Sequence, residues 1–209
     1  MAPVQGIKVL TAICSIVFFA FCSRPAVVKL PVLGEPSVNR TTGDTTYPVI
    51  RPFSFVSQDS TIINNATFDN KIYVADFIFL SCPSICPKMN ASMLQAYKFF
   101  NNDASVLFLS HTIDPERDNI ARLKMQSNAL GVSPGKWFFV RGNKDSIYSI
   151  AEKNYFATAY KDSTAPGGFA HSGGLLLVDK HRHIRGVYDG TEPSETTRLI
   201  NDIQILLKE

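Results

Sequence analysis

Apolar residues along this 209-residue chain fall into several short runs, which predict β-strands. The run KIYVADFIFL at 71–80 is continuous and rich in β-branched and aromatic residues, as is typical of a central strand covered on both faces. Further buried strands are predicted at 104–113 and 136–142. The segment 174–190 predicts two strands around a tight turn, and 51–63 has a strand-and-turn pattern.

Helical periodicity predicts four helices between and after these strands. The first follows the strand at 71–80 and has Pro87 in its first turn, where proline is well tolerated. The second covers 114–130 and ends at Gly131, and a short third helix covers 144–156. A closing helix at 192–209 has Ser194 and Thr197 as starting residues, with Ile200, Ile203, Leu206 and Leu207 on its predicted buried face.

The order of these elements, β-(β)-β-α-β-α-β-α-β-β-α, predicts the fold class. A parallel core of βαβ units, followed by a β-hairpin and a last helix, is the plan of a thioredoxin-like α/β fold. We therefore expect a central mixed β-sheet flanked by helices, with an N-terminal extension. The thioredoxin-like domain is expected at 46–209, after a tether at 24–45 that is rich in Pro, Gly and Thr and has room for a short hairpin.

Residues 1–23 have the pattern of an export signal or membrane anchor. Their apolar run at 9–21 is shorter than the roughly 20 residues of a transmembrane helix, but it suits the hydrophobic region of a secretory signal. Cys22 follows directly and resembles a bacterial lipoprotein processing site, although Phe21 stands where a small residue is usual. A lipid on Cys22, an uncleaved N-terminal anchor and a cleaved signal stay open. All three place the domain outside the cytoplasm, and the first two anchor it on the periplasm side of a bacterial membrane.

Composition and charge exclude some classes of function. The chain is 45% hydrophobic and 19% charged, which is typical of a globular protein rather than a disordered one. Its net charge of +3 is small, and the longest basic cluster, KHRHIR at 180–185, lies in the predicted turn between two strands. We therefore expect no nucleic-acid partner.

Only two of the four cysteines, Cys82 and Cys86, belong to the predicted domain, because Cys14 and Cys22 lie in or beside the N-terminal apolar run. A disulfide closing so short a loop contributes about 2 kcal/mol at most, so a structural staple is a weak explanation. The pair follows a central strand and begins a helix, where free N–H groups favour thiolate. This position predicts redox or metal reactivity and does not choose between them.

Spacing and histidines favour a metal. Three residues separate the cysteines, one more than is usual in redox enzymes of this fold, and the wider opening can place a small ion between two sulfurs. His171 lies in the glycine-rich APGGFAHSGG, whose backbone can approach another element closely. The other histidines are expected to bond locally (His111) or to lie in a solvated turn (His181 and His183). Two thiolates and an imidazole suit Cu(I), accept Cu(II) with a further ligand, and fit zinc less well because zinc normally takes four ligands.

Four segments resemble the Sco (SenC-like) family of membrane-tethered copper proteins. They are FIFLSCPSICPKM, HTIDPERD, FAHSGG and VDKHRHIRGVYDG, in the family's order over most of 45–209. The resemblance implies that Cys82, Cys86 and His171 hold one copper ion, as Cu(I) or Cu(II). It also implies a domain outside the cytoplasm that delivers copper to the binuclear copper site of cytochrome c oxidase or reduces the cysteines of that site.

Two departures from the family pattern leave these ligands in place. Ala170 stands before the histidine where the family often has an acidic residue, and Leu80-Ser81 stands where threonine is common. Asp114 and Arg117 of DPERD match a family motif, and we expect them to fix the loop near the site rather than to bind metal.

Three functions are compatible with these residues. The first is a copper chaperone, whose partners are a copper-receiving oxidase subunit or another copper protein, a thiol reductant, and the membrane through the N-terminus. The alternative is a thiol–disulfide oxidoreductase without stable metal, in which Cys82 attacks and Cys86 resolves. A peroxidase is the weakest, because Arg117 alone does not make a peroxide site. Whether the chain is an enzyme in the strict sense therefore stays open.

Overall fold

The computed structural model describes residues 29–209 of the chain. The N-terminal part contains two short antiparallel hairpins followed by one turn of 3-10 helix. These elements are β1 (Ser37–Val38) and β2 (Thr45–Thr46), β3 (Ser54–Ser57) and β4 (Ile62–Asn64), and the 3-10 turn Asn65–Phe68.

Alternating strands and helices make up the rest. The first group is β5 (Ile72–Ile78), α1 (Cys86–Phe99), β6 (Val106–Thr112), α2 (Ile120–Leu130), β7 (Trp137–Arg141) and α3 (Lys144–Asn154). The second group is β8 (Ala159–Lys161), a 3-10 turn (Pro166–Gly168), β9 (Phe169–His171), β10 (Gly174–Val178), β11 (Ile184–Asp189) and α4 (Pro193–Leu206).

Seven of the strands form one mixed sheet in the order β11-β10-β5-β6-β7-β3-β4. The central β5, β6 and β7 are parallel, whereas β10 and β3 pair with them antiparallel on either side. The described residues contain four α-helices. The predicted thioredoxin-like α/β fold, with a central mixed sheet flanked by helices, is confirmed.

β5 lies at the middle of the core because its composition suits burial on both faces. Every residue of β5 is buried, and each pairs with its counterpart in β6 without a register shift. On one face Phe77 packs against Tyr155, with ring centroids 5.4 Å apart, and on the other α1 places Tyr97 against Trp137 of β7 at 5.9 Å. The C-terminal end of β5, after which the cysteines follow, is therefore held in place by the packed core.

Two helices begin elsewhere than predicted. α2 begins at Ile120, not at residue 114, because the Asn119 side chain caps it by accepting from the Arg122 N–H. α4 begins at Pro193, before both predicted starting residues, Ser194 and Thr197, since a first-turn proline has no N–H to leave unpaired. Leu207 lies beyond the end of α4 and is 36% exposed, so its predicted burial is wrong. The predicted stop at Gly131 is confirmed, with a left-handed φ of 65°.

The glycine-rich segment before β10 contains a hairpin that the sequence did not predict. β8 and β9 pair antiparallel as a separate two-stranded sheet, with Ala159 opposite His171. Strands of three residues are too short to show alternation of apolar and polar positions. We call residues 159–171 the histidine hairpin.

Residues 29–209 include no helix with both the length and the apolar content that a bilayer crossing requires. The apolar run at 9–21 and Cys22 lie outside the described residues. The lipid, anchor and signal hypotheses, and the division into anchor, tether and domain, therefore stay predictions.

Candidate metal centre

The segment that carries the cysteines is held by the loop after β6. The Asp118 carboxylate accepts hydrogen bonds from the Leu80 N–H at 3.0 Å and from the Thr112 hydroxyl at 2.6 Å. Arg122 pairs with the same carboxylate at 3.3 Å and also donates to Ser81 Oγ at 3.1 Å. The chain between β5 and α1 is thus fixed immediately before Cys82.

The histidine hairpin packs directly on this segment. Phe169 lies against Phe79 with ring centroids 5.1 Å apart, and the His171 ring meets Phe79 edge to face at 5.4 Å. Gly167 has a φ of 79°, and a Cβ there would lie 2.6 Å from the Phe79 ring. Only glycine fits so close an approach, as the glycine-rich sequence predicts.

These contacts bring three candidate ligands together. His171 Nε2 lies 3.5 Å from Cys86 Sγ and 3.8 Å from Cys82 Sγ, and the three possible ligand atoms lie within 4.8 Å of one another. The cysteines are free thiols, Cys82 half-buried and Cys86 buried. A cavity of about 310 Å³, lined in part by Cys82 and His171, opens beside the cluster. A partner could therefore reach these two side chains from solvent.

The two thiols differ in acidity. Burial raises the pKa of Cys82, but hydrogen bonds from His171 and from the backbone at Ser84 and Cys86 outweigh it and lower that pKa to about 6. For Cys86, burial raises the pKa well above its usual range, and neighbouring Cys82 adds to the effect. The prediction that the helix start makes both sulfurs acidic is therefore wrong for Cys86, because desolvation outweighs the helix N-terminus there.

The other three histidines lie outside the cluster. His111 is buried in β6 and stacked on Phe77 at 4.8 Å, and burial lowers its pKa to about 4. Its Nδ1 lies 3.4 Å from the Asp76 carbonyl oxygen, the local contact expected for it. His183 Nδ1 contacts the carbonyl of Pro48 at 3.0 Å, and His181 is exposed in the turn. Of the histidines described, only His171 is within ligand distance of both cysteines.

Sequence reasoning missed Asp76, which lies buried in β5 opposite Ser110. Burial raises the pKa of Asp76 to about 7, and its charge contributes to raising the pKa of Cys86. The available signal was its place as the only charged residue of the strand 72–78. A side chain inside the central strand thus contributes to the pKa of the buried Cys86 thiol.

Sequence reasoning also missed Asp118 and Arg122, which make the contacts to the cysteine segment described above. Of the two residues expected to fix the loop, Arg117 forms an ion pair with Asp114, whose side chain is 4% exposed. Arg117 also donates to the Gly167 carbonyl at 3.3 Å. The second aspartate of DPERD therefore contacts the cysteine side of the cluster, and the arginine contacts the histidine side.

Comparison with known proteins gives one consistent result. The family model described as SCO1/SenC matches residues 41–208. The chain is 26% identical over 156 residues to the SCO1 protein homolog of Bacillus subtilis. The matched region is 74% of this chain and 81% of that relative.

Two solved structures illustrate the similarity of fold. BsSco is described as a member of the Sco family of cytochrome c oxidase assembly proteins with a disulfide switch. It matches with a TM-score of 0.67 at 27% identity, over 76% of this chain and 93% of BsSco. Arabidopsis thaliana ScoI, solved with copper bound, matches with a TM-score of 0.62 at 21% identity. The match covers 75% of this chain and 98% of ScoI.

Proposed function

The chain belongs to the SCO1/SenC family, and on that basis we propose that it is a copper chaperone that binds one copper ion per chain through Cys82, Cys86 and His171. The observation that carries the proposal is the convergence of these three donors from two separate segments, within 4.8 Å. Two sulfurs and one imidazole nitrogen are the soft, low-coordinate set that Cu(I) prefers. Zinc fits less well, because the described residues bring only these three donors together.

Uptake and release follow from the different acidity of the thiols. Cys82, with a pKa of about 6, is a thiolate at neutral pH and offers the first bond to incoming copper. Cys86 must lose a proton to become the second ligand. His171, in contact with both sulfurs, completes the set. Release reverses this order, as donors of a receiving protein enter from the cavity beside Cys82 and replace the ligands one at a time.

The proposed recipient is a copper-receiving subunit of cytochrome c oxidase. Membership of the SCO1/SenC family supports this choice, and BsSco is described as belonging to a family of oxidase assembly proteins. The proposed location is outside the cytoplasm, on the periplasm side, with the apolar run at 9–21 or a lipid on Cys22 as the anchor. The tether at 24–45 would then join that anchor to the domain.

A second candidate function, thiol–disulfide exchange, is favoured by the acidic Cys82 beside a second free thiol. The Cys82 thiolate would attack a disulfide of the partner, form a mixed disulfide and release one partner thiolate. Cys86 would give its proton to that released thiolate, attack Cys82 Sγ and release the second partner thiolate. Two electrons pass to the partner, a Cys82–Cys86 disulfide remains, and a thiol reductant restores the protein. His171 contributes to the low pKa of the attacking Cys82, but no bond forms or breaks at His171, so the disulfide can form without it.

The difference in the need for His171 gives the test. We expect His171→Ala to lose stable Cu(II) binding and to weaken Cu(I) binding, while the Cys82–Cys86 disulfide still forms on oxidation. The measurement is anaerobic titration of the reduced full chain in detergent with each copper ion. His183→Ala is the matched control, since it removes a half-buried histidine that contacts a backbone carbonyl. Unchanged copper affinity in His171→Ala would overturn the ligand assignment. No binding near one equivalent of copper in the unaltered chain would favour the oxidoreductase.

A further inference from the structure

Residues 114–122, which we call the bridging loop, contact both halves of the candidate metal centre. On the cysteine side, Asp118 and Arg122 hold Leu80 and Ser81, as described above. On the histidine side, Arg117 reaches the 3-10 turn that precedes β9. One loop thus connects two segments that are about ninety residues apart in the sequence.

Arg117 makes three contacts at once. Its Nε donates to the buried carboxylate of Asp114, and one Nη donates to the carbonyl oxygen of Gly167 at 3.3 Å. Its guanidinium also lies over the Phe169 ring, 5.5 Å from the centroid. A planar guanidinium with several donors can serve all three partners together, whereas a lysine ammonium can point at only some of them.

The histidine hairpin has few other attachments. It pairs only with itself, as a two-stranded sheet separate from the seven-stranded one. Apart from the cysteine contacts of His171, the bond from Arg117 is the one hydrogen bond that a side chain elsewhere in residues 29–209 makes to residues 159–171. Apolar packing adds to this support: Phe79 contacts Gly167, Phe169 and the His171 ring, and Ala159 packs against the hydrophobic core.

We propose that Arg117 is a positioning residue that holds the histidine hairpin against the cysteine segment and thereby sets the preference of the site between Cu(II) and Cu(I). The proposal rests on the proposed copper function. Arg117 acts through the Gly167 carbonyl and the Phe169 ring, which lies two residues before His171. It does not touch the ion.

The two oxidation states respond differently to a loosened imidazole. Cu(I) is soft and accepts low coordination, so two thiolates hold most of its binding energy. Cu(II) favours tetragonal sites with nitrogen or oxygen donors, and it therefore depends on a well-placed His171. Loss of Arg117 should weaken Cu(II) binding more than Cu(I) binding.

The test compares Arg117→Gln with Arg198→Gln in the full chain in detergent. Arg198 is a matched control, since it pairs with an acidic side chain three residues away, Glu195, and donates to a backbone carbonyl, that of Val187. It also lies over an aromatic ring, that of Tyr188 at 4.1 Å, and it is 46% exposed against 51% for Arg117. None of its partners is a candidate ligand.

We expect the ratio of Cu(II) to Cu(I) affinity to fall about 10–100-fold in Arg117→Gln, the size typical of lost outer contacts to metal ligands. Arg117→Lys should recover part of this loss. The nitrogen splitting in the electron paramagnetic resonance spectrum of the Cu(II) form should change in Arg117→Gln and not in Arg198→Gln.

Two outcomes separate this proposal from the proposed function. If the wild type binds copper and both glutamine variants show the same affinity ratio, Arg117 does not position His171. If the wild type binds no copper, the proposed function fails. In that case amide exchange in metal-free Phe169–His171 still tests the positioning: faster exchange in Arg117→Gln than in Arg198→Gln supports it, and equal exchange contradicts it.

Discussion

At the scale of single residues, burial determines what each sulfur can do. Cys82 and Cys86 are four positions apart, yet the half-buried one gains enough hydrogen bonds to favour thiolate, and the buried one does not. In the proposed chaperone role this difference would help, because one thiolate is ready to accept copper while the other is protected from alternative reactions until its proton is removed.

The difference predicts a pH profile of alkylation. In the reduced, metal-free chain, Cys82 should react with iodoacetamide at a rate that rises through about pH 6, because its pKa is lowered to about 6 and the thiolate is the reactive form. Below that pH the thiol is protonated and the rate falls. Cys86 should stay slow at neutral pH, because burial raises its pKa. Mass spectrometry of peptides resolves the two sites, and equal rates at both would contradict the account.

At the scale of elements, the junction of β5 and α1 depends on a loop from the next βαβ unit. The buried Asp118 carboxylate bonds the N–H of Leu80 and the hydroxyl of Thr112, and so ties the C-terminal ends of β5 and β6 together. Periodicity predicted both strands and the helix between them. It did not predict this tie, because a contact between loops that are distant in sequence leaves no pattern in either loop.

Asp118→Ala should therefore destabilise the fold and also weaken the site. Removal of the carboxylate leaves the backbone N–H of Leu80 without its acceptor. An unsatisfied donor of this kind lowers the free energy of unfolding by about 1–3 kcal/mol. The measurement is urea denaturation of the metal-free chain, together with Cu(I) affinity, which should also decrease. Asp59→Ala is the control, because the exposed pair of Asp59 with Lys124 is worth less than about 1 kcal/mol. Equal effects of the two variants would show that Asp118 does not hold the cysteine segment.

At the scale of the whole molecule, the first described residues, 29–30, and the candidate ligands lie at opposite ends of β5. The Leu30 N–H donates to the Glu209 carboxylate at 3.0 Å, and Arg185 bridges Glu209 at 2.8 Å and Asp179 at 2.9 Å. The cavity beside these charged side chains is lined in part by Ile72, the first residue of β5. Cys82, in contrast, lies beyond the last residue of β5. Residues 29–30 therefore lie at the end of β5 away from the candidate ligands.

The fold class could be predicted from the sequence because continuous apolar runs and helical stripes repeat in βαβ order. Cys82 and Cys86 could be located because they follow the strand at 71–80 and precede a helix. The glycine-rich loop indicated His171 as a candidate, and family resemblance implied that it is a ligand. The hairpin of β8 and β9 that places it could not be predicted, since strands of three residues have no periodic signal. The raised pKa of Cys86 could not be predicted, because it depends on how deeply the first residue of α1 is buried and on the neighbouring Asp76.

The central claim is that one copper ion is held by two sulfurs and one imidazole of this chain. X-ray absorption spectroscopy of the full chain loaded with one equivalent of Cu(I) tests it most directly. The account predicts two sulfur scatterers and one nitrogen scatterer around copper, with the nitrogen lost in His171→Ala and retained in His183→Ala. A first shell without sulfur, or a nitrogen that persists unchanged in His171→Ala, would contradict it.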